Sequence, residues 1–164
     1  MNVTIYTDGA ARGNPDGPGG YGAVIVYVDG KGTTHKKELA AGYDKTTNNR
    51  MELMAVIVAL EALNRPCEVT LFADSKYVVN AFCEGWVYKW QINGWRTAGK
   101  DPVKNRLLWE RLLQAMKPHN ITWKWVKGHA GVEYNEICDR LATKAADADP
   151  ETLLHDDGGD LRTT

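Results

Sequence analysis

Apolar and polar residues alternate along 2–8, 21–28 and 33–42, and Gly-rich turns separate these stretches. Period-two alternation built from branched and aromatic residues predicts strands, here joined as a meander. The first turn, Arg12-Gly13-Asn14-Pro15-Asp16-Gly17-Pro18-Gly19-Gly20, is unusually long, and Asp29-Gly30 with Gly32 marks the second. From about Thr47 to Leu63 the period becomes helical, with Thr47 or Asn48 able to cap the helix. Its stretch Leu53-Met54-Ala55-Val56-Ile57-Val58-Ala59-Leu60 is apolar all round, which marks a centrally buried helix. A strand at 68–73 and a helix at about 75–84 come next, followed by an irregular aromatic and basic segment at 85–104. A helix at about 104–117, a strand at 120–126 and a helix at about 132–146 complete the pattern. This order predicts an α/β fold, a mixed sheet with helices on both faces.

One string occurs twice. Val3-Thr4-Ile5-Tyr6-Thr7-Asp8 returns as Val69-Thr70-Leu71-Phe72-Ala73-Asp74, and a turn-prone pair, Asp8-Gly9 or Asp74-Ser75, closes each copy. Laid parallel and side by side in matching register, the two strands bring Asp8 and Asp74 to the same level. Neighbouring strands lie about 4.8 Å apart. Carboxylates that close repel each other unless a cation lies between them. Strand carboxyl ends are also where open α/β sheets bind ligands. A single such Asp reads as a turn starter; the matched pair reads as a metal site.

At 164 residues the chain suits one domain with a full core. Its net charge of −1 neither implies nor excludes a nucleic-acid partner, because the distribution matters more than the sum. From Ala146 onward Asp147, Asp149, Glu151, Asp156, Asp157 and Asp160 face only Arg162, so the body carries an excess of positive charge. Residues 148–164 are expected to form an acidic, disordered tail. Cys67, Cys83 and Cys138 are widely spaced and odd in number, which suits reduced core thiols rather than a disulfide framework or a metal knuckle. No apolar run approaches the ~18 residues of a membrane span, and no signal-like segment precedes the first strand. A cytoplasmic monomer is the expectation, since no exposed apolar stripe asks for a second subunit.

Four acids stand out, Asp8, Glu52, Asp74 and Asp139, with His129 in the loop before the last helix. Asp139 lies just beyond the edge of the stripe Tyr134, Ile137, Cys138, Leu141, Ala142 and Ala145, where it can reach a site bordering the core. Glu52 and Glu61 lie half a rotation apart on their helix, so only one can face the Asp pair. Oxygen-only ligands select Mg²⁺ or Mn²⁺, whereas zinc calls for more His or Cys. Two such ions about 3.5–4 Å apart can activate a water and stabilise the leaving oxygen of a phosphodiester.

The chain closely resembles the bacterial type 1 ribonuclease H family. The resemblance rests on Tyr6-Thr7-Asp8-Gly9, Gly13-Asn14-Pro15, Gly19-Gly20-Tyr21-Gly22-Ala23 and Thr46-Thr47-Asn48-Asn49-Arg50-Met51-Glu52-Leu53. It continues through Ala73-Asp74-Ser75, Trp125-Val126-Lys127-Gly128-His129-Ala130-Gly131, and Asn135-Glu136 with Cys138-Asp139. It covers roughly 1–147, which it marks as the catalytic domain. It implies the ribonuclease H-like fold, with a five-stranded mixed sheet. It also implies that Asp8, Glu52, Asp74 and Asp139 bind two Mg²⁺ ions, with Mn²⁺ as a substitute. Such a site hydrolyses the RNA strand of an RNA–DNA hybrid and leaves 5′-phosphate and 3′-hydroxyl ends. His129 matches the loop histidine that moves protons or helps product leave, work that suits an ordinary pKa of ~6.5.

An enzyme of this kind tells RNA from DNA by the 2′-hydroxyl rather than by base sequence. The resemblance assigns Asn14, Asn48 and Asn49 to that reading. It places Thr47, Trp86 and Asn105, with Lys104 close by, where the DNA strand is gripped. In the segment 85–104, Trp86, Tyr88, Trp90 and Trp95 stand among Lys89, Arg96, Lys100 and Lys104, a mixture suited to sugars and phosphates. Trp90 and Trp95 are expected to pack this protrusion against itself. Its tip departs from the family: Gln91-Ile92-Asn93-Gly94 stands where members carry several lysines or arginines, so weaker binding and a shallower salt dependence are expected. Asp16 is a second departure, one extra acid in the Gly-rich turn. The competing reading is a catalytically inactive hybrid-binding module, but such a module would be expected to have lost at least one acid.

Overall fold

A computed structural model describes residues 1–13, 17–127 and 133–162. Strands β1 (Asn2–Ala11), β2 (Gly17–Val28) and β3 (Thr34–Thr46) form the expected antiparallel meander. Helix α1 (Asn48–Glu61) leads to β4 (Glu68–Ala73), and α2 (Lys76–Cys83), α3 (Trp86–Ile92) and α4 (Arg106–Met116) follow. Strand β5 (Asn120–Trp125) and helix α5 (Glu133–Ala146) complete the series. The sheet order is β3-β2-β1-β4-β5, with β1, β4 and β5 parallel. The two copies of the repeated string pair with each other in matching register, from Val3↔Val69 to Thr7↔Ala73.

Helix α1 is buried on nearly every side, from Met51 through Ile57 and again at Ala59 and Leu60. It lies between the sheet and α4, and its apolar surround accounts for most of the core. Helix α5 covers the opposite face. A Cβ at Gly22 would stand 2.5 Å from the Cys138 carbonyl oxygen, so the absence of a side chain lets α5 settle directly on the strand. Two helices thus bracket the middle of β1 from opposite sides.

Two features differ from the sequence reading. The segment 85–104 contains a seven-residue helix, α3. Residues 148–162, expected to be disordered, are packed against the body. Leu154 pairs with Tyr43 of β3, its N–H bonding the Gly42 carbonyl and its own carbonyl accepting from Asp44. Leu161 packs against the core. The tail is held because several of its groups reach buried arginines, a relationship that composition does not reveal.

Candidate active site

Asp8 and Asp74 each come directly after the last parallel pair of β1 and β4, Thr7↔Ala73. Beyond Asp74 the chain turns at once into α2, whose first turn is capped by the Ser75 hydroxyl accepting from the Val78 N–H. Glu52 arrives from α1. A Cβ at Gly9 would lie 2.5 Å from the Glu52 nitrogen, so only glycine admits the helix backbone this close to Asp8. One carboxylate oxygen from each of Asp8, Glu52 and Asp74 falls within 4.8 Å of the others. Asp139, on α5, comes from the other side of the sheet, and its charge acts on the Asp8 carboxyl.

Burial and mutual repulsion dominate the electrostatics. Burial, then the charges of Asp74 and Asp139, push the Asp8 carboxyl up to about 8, although the Gly9 N–H donates to it at 2.8 Å. Burial, then Asp8 and Asp74, hold Glu52 well above the ordinary carboxylate range. Glu52 Oε2 is buried without a hydrogen-bond partner among the described residues. Buried carboxylate oxygens are normally satisfied. A cluster of hard oxygen donors that is costly to ionise, and that contains an orphaned oxygen, fits a divalent cation.

Neighbouring side chains stiffen this corner. The Trp125 indole N–H donates to the Asp74 carbonyl at 3.1 Å, and the Lys76 ammonium lies 4.7 Å from the centre of the Trp125 ring. The Cys138 thiol is buried and donates to the Tyr6 carbonyl at 3.2 Å, and its pKa is raised chiefly by burial. Cys67 and Cys138 are buried thiols, as expected, whereas Cys83, at the end of α2, is exposed and departs from that expectation. Glu61, on the far side of α1, pairs instead with Arg111 at 2.7 Å.

Thr47 caps α1, its hydroxyl accepting from the Arg50 N–H at 3.2 Å, which leaves Asn48 and Asn49 exposed in the first turn. Asn105 precedes α4 in the left-handed region, with φ of 62°. Its side-chain oxygen accepts from Arg50, so α1 and α4 meet here. Lys104 is exposed, and Trp86 stands half-exposed at the start of α3. Trp90 and Trp95 pack inward, Trp90 with its ring 5.3 Å from that of Trp109 and Trp95 beneath the Arg106 guanidinium. Asn14 and His129 lie outside the described residues.

The RNase H family profile matches residues 1–147. The chain belongs to the RNase H family. Ribonuclease H of Lachnoclostridium phytofermentans is 61% identical over 147 residues, covering 90% of this chain and 93% of that protein. Ribonuclease H of Thermoanaerobacter sp. strain X514 is 58% identical over 142 residues, covering 87% and 88%. Among solved structures, LC9-RNase H1, described as a type 1 RNase H with the type 2 active-site motif, is 34% identical with a TM-score of 0.80. That match covers 96% of this chain and 75% of the other.

In this RNase H family nuclease the register of β1 and β4 sets Asp8 beside Asp74, as the repeated strand predicts. Reading the sequence does not bring out Trp125 as a support for Asp74, or Asp156 and Tyr77 as partners of the Arg50–Asn105 pair. Trp125 stands inside a quoted motif, which was the available signal. Asp156 has no local signal, since its partner is 106 positions away.

Proposed function

We propose that this RNase H is an endonuclease that hydrolyses the RNA strand of RNA–DNA hybrids, leaving 5′-phosphate and 3′-hydroxyl ends. The observation that carries the reading is the meeting of Asp8, Glu52 and Asp74 in a largely buried cluster, with the charge of Asp139 acting on Asp8, in a chain of this family. These four acids would hold two Mg²⁺ ions, or Mn²⁺ in their place. When bound, such ions activate a water and offset the charge that develops on the phosphate and the leaving oxygen.

The chain's own groups divide the remaining work. The four carboxylates set where the cations sit, and the core around α1 keeps Glu52 from drifting. The Trp125 bond to the Asp74 carbonyl holds the turn on which that carboxylate stands. The imidazole of His129 takes up or returns a proton near the scissile bond. Asn14, Asn48 and Asn49 offer neutral donors and acceptors to 2′-hydroxyls, while Thr47, Trp86, Lys104 and Asn105 grip the DNA strand. No helix among the described residues is long and apolar enough to cross a membrane. A monomer working in the cytoplasm is the corresponding proposal.

The test presents one RNA strand alone, paired with RNA and paired with DNA, each with Mg²⁺ and with chelator. Cutting confined to the DNA hybrid and dependent on metal supports the reading. Hybrid bound but never cut would turn it into the binding-module reading.

A further inference from the structure

Asn105 is the junction of a polar chain that begins in the C-terminal segment. The Asp156 carboxylate, its side chain only 2% exposed, accepts two bonds from the Arg50 guanidinium: Nε to Oδ2 at 2.8 Å and Nη2 to Oδ1 at 2.9 Å. The Thr46 hydroxyl donates to the same carboxylate, and Nη2 also reaches the Gly159 carbonyl at 2.6 Å. The remaining guanidinium nitrogen, Nη1, donates to Asn105 Oδ1 at 3.2 Å. Asn105 Nδ2 in turn donates to the Tyr77 hydroxyl at 3.3 Å, which also accepts from the Trp109 indole at 3.1 Å.

The donor inventory fixes a direction along this chain. A guanidinium only donates, so Arg50 can take only the oxygen end of the Asn105 amide. The amide nitrogen is thereby turned away from Arg50. One of its hydrogens goes to Tyr77, and the other is left for an acceptor such as a phosphate oxygen. Arg50 can serve as this reference because Asp156 and Gly159 occupy its other nitrogens. A cavity of about 290 Å³ lined by Thr47, Arg50, Asp156 and Gly158 opens at the same place.

We propose that Asp156, acting through Arg50, is a positioning residue for Asn105, which makes the C-terminal segment part of the grip on the DNA strand. This rests on the reading of Asn105 as a DNA-strand contact. The acidic tail therefore aids a polyanionic substrate: its most buried carboxylate is neutralised by Arg50, and its effect arrives as a fixed amide.

The test measures hybrid-cleavage kinetics and thermal melts of the full chain for Asp156→Asn, Asn105→Ala and the double variant. Asp156→Asn is expected to raise KM about fivefold to tenfold with kcat within about twofold, the signature of lost binding shared by ground and transition states. In the Asn105→Ala background the same change should add nothing, because it acts through the missing amide. The paired variant Arg50→Met with Asp156→Leu leaves no unpaired buried charge, so it guards against simple unfolding and should show the same rise in KM. Asp160→Asn, whose carboxylate bonds Arg162, should leave KM unchanged. If Asn105→Ala itself leaves KM unchanged, the reading of Asn105 fails and takes this proposal with it. If Asn105→Ala raises KM while folded Asp156→Asn and the paired variant do not, the proposal alone falls. Additive effects in the double variant would also overturn it.

Discussion

Thr7 lies opposite Ala73 in the parallel ladder, and the next residue of each strand is a carboxylate. Asp8 and Asp74 are therefore neighbours by strand register, before any side chain has chosen a rotamer. Helix α1 adds Glu52 to this pair, and the protein folds around a concentration of negative charge that the fold itself does not relieve.

Neutralising that charge should separate activity from stability. Asp8→Asn is expected to lower hybrid cleavage by about 10³-fold or more, an effect on the scale of losing a principal electrostatic group. The same variant should gain about 1–2 kcal/mol of stability without metal at pH 7.5, since one unit of pKa elevation is worth about 1.4 kcal/mol and relaxation reduces the full amount. That is a rise of roughly 2–8 °C in melting temperature. Chemical denaturation with chelator present checks it, and a clear loss of stability would refute the repulsion argument.

The pH dependence has a definite sign. Asp8 binds its proton more tightly folded, near pH 8, than unfolded, near its ordinary 3.8. As pH rises from about 4 to 8 the unfolded chain releases this proton first, so stability of the metal-free protein falls across that window. Glu52 shifts in the same direction and adds to the effect. Divalent cations should raise the melting temperature more at pH 8 than at pH 5, and calorimetry in buffers of different ionisation enthalpy should show protons released on binding. Equal stabilisation at both pH values would contradict this.

Glu61→Gln provides the internal contrast on the same helix. Glu61 pairs with Arg111 and faces away from the carboxylate cluster, so cleavage should stay within about twofold of wild type. Stability should drop by about 1–3 kcal/mol, because the largely buried Arg111 loses a charged partner. Melts and initial rates on one preparation suffice to check both halves.

The protrusion offers a test by gain rather than loss. Ile92 at its tip is 84% exposed, between the neutral Gln91 and Asn93. Gln91→Lys with Asn93→Lys should tighten hybrid binding at low salt. It should also steepen the slope of log affinity against log salt by roughly one to two, about 0.9 for each new phosphate contact. An unchanged slope would show that this tip does not meet the backbone.

What was legible in the sequence was whatever repeats or alternates. The duplicated strand gave the parallel pair, its register and two of the acids, and the apolar run gave the buried helix. Strand ends were read short because Gly17 to Gly20 look like turn, yet Gly19 and Gly20 continue the ladder opposite Ala11 and Ala10. Helix α3 escaped notice because seven residues show too little period, and left-handed Gly85 and Gly94 frame it. The tail misled for a different reason. Its acids look solvated when read locally, and only the folded chain brings Asp156 to Arg50 and the Asp160 carbonyl to Arg111.

The pairing of Leu154 with β3 also bears on how this protein behaves in a crowded solution. Strand β3 is thirteen residues long and forms one border of the sheet, where unused backbone groups invite another chain to add itself. His35, Lys36 and Lys37 discourage such addition along the first half by charge and hydration. Along the second half the chain's own Leu154 fills the place at Gly42 to Asp44. A copy clipped after Ala146 would therefore carry a sticky border, with aggregation as the first symptom of a shortened chain.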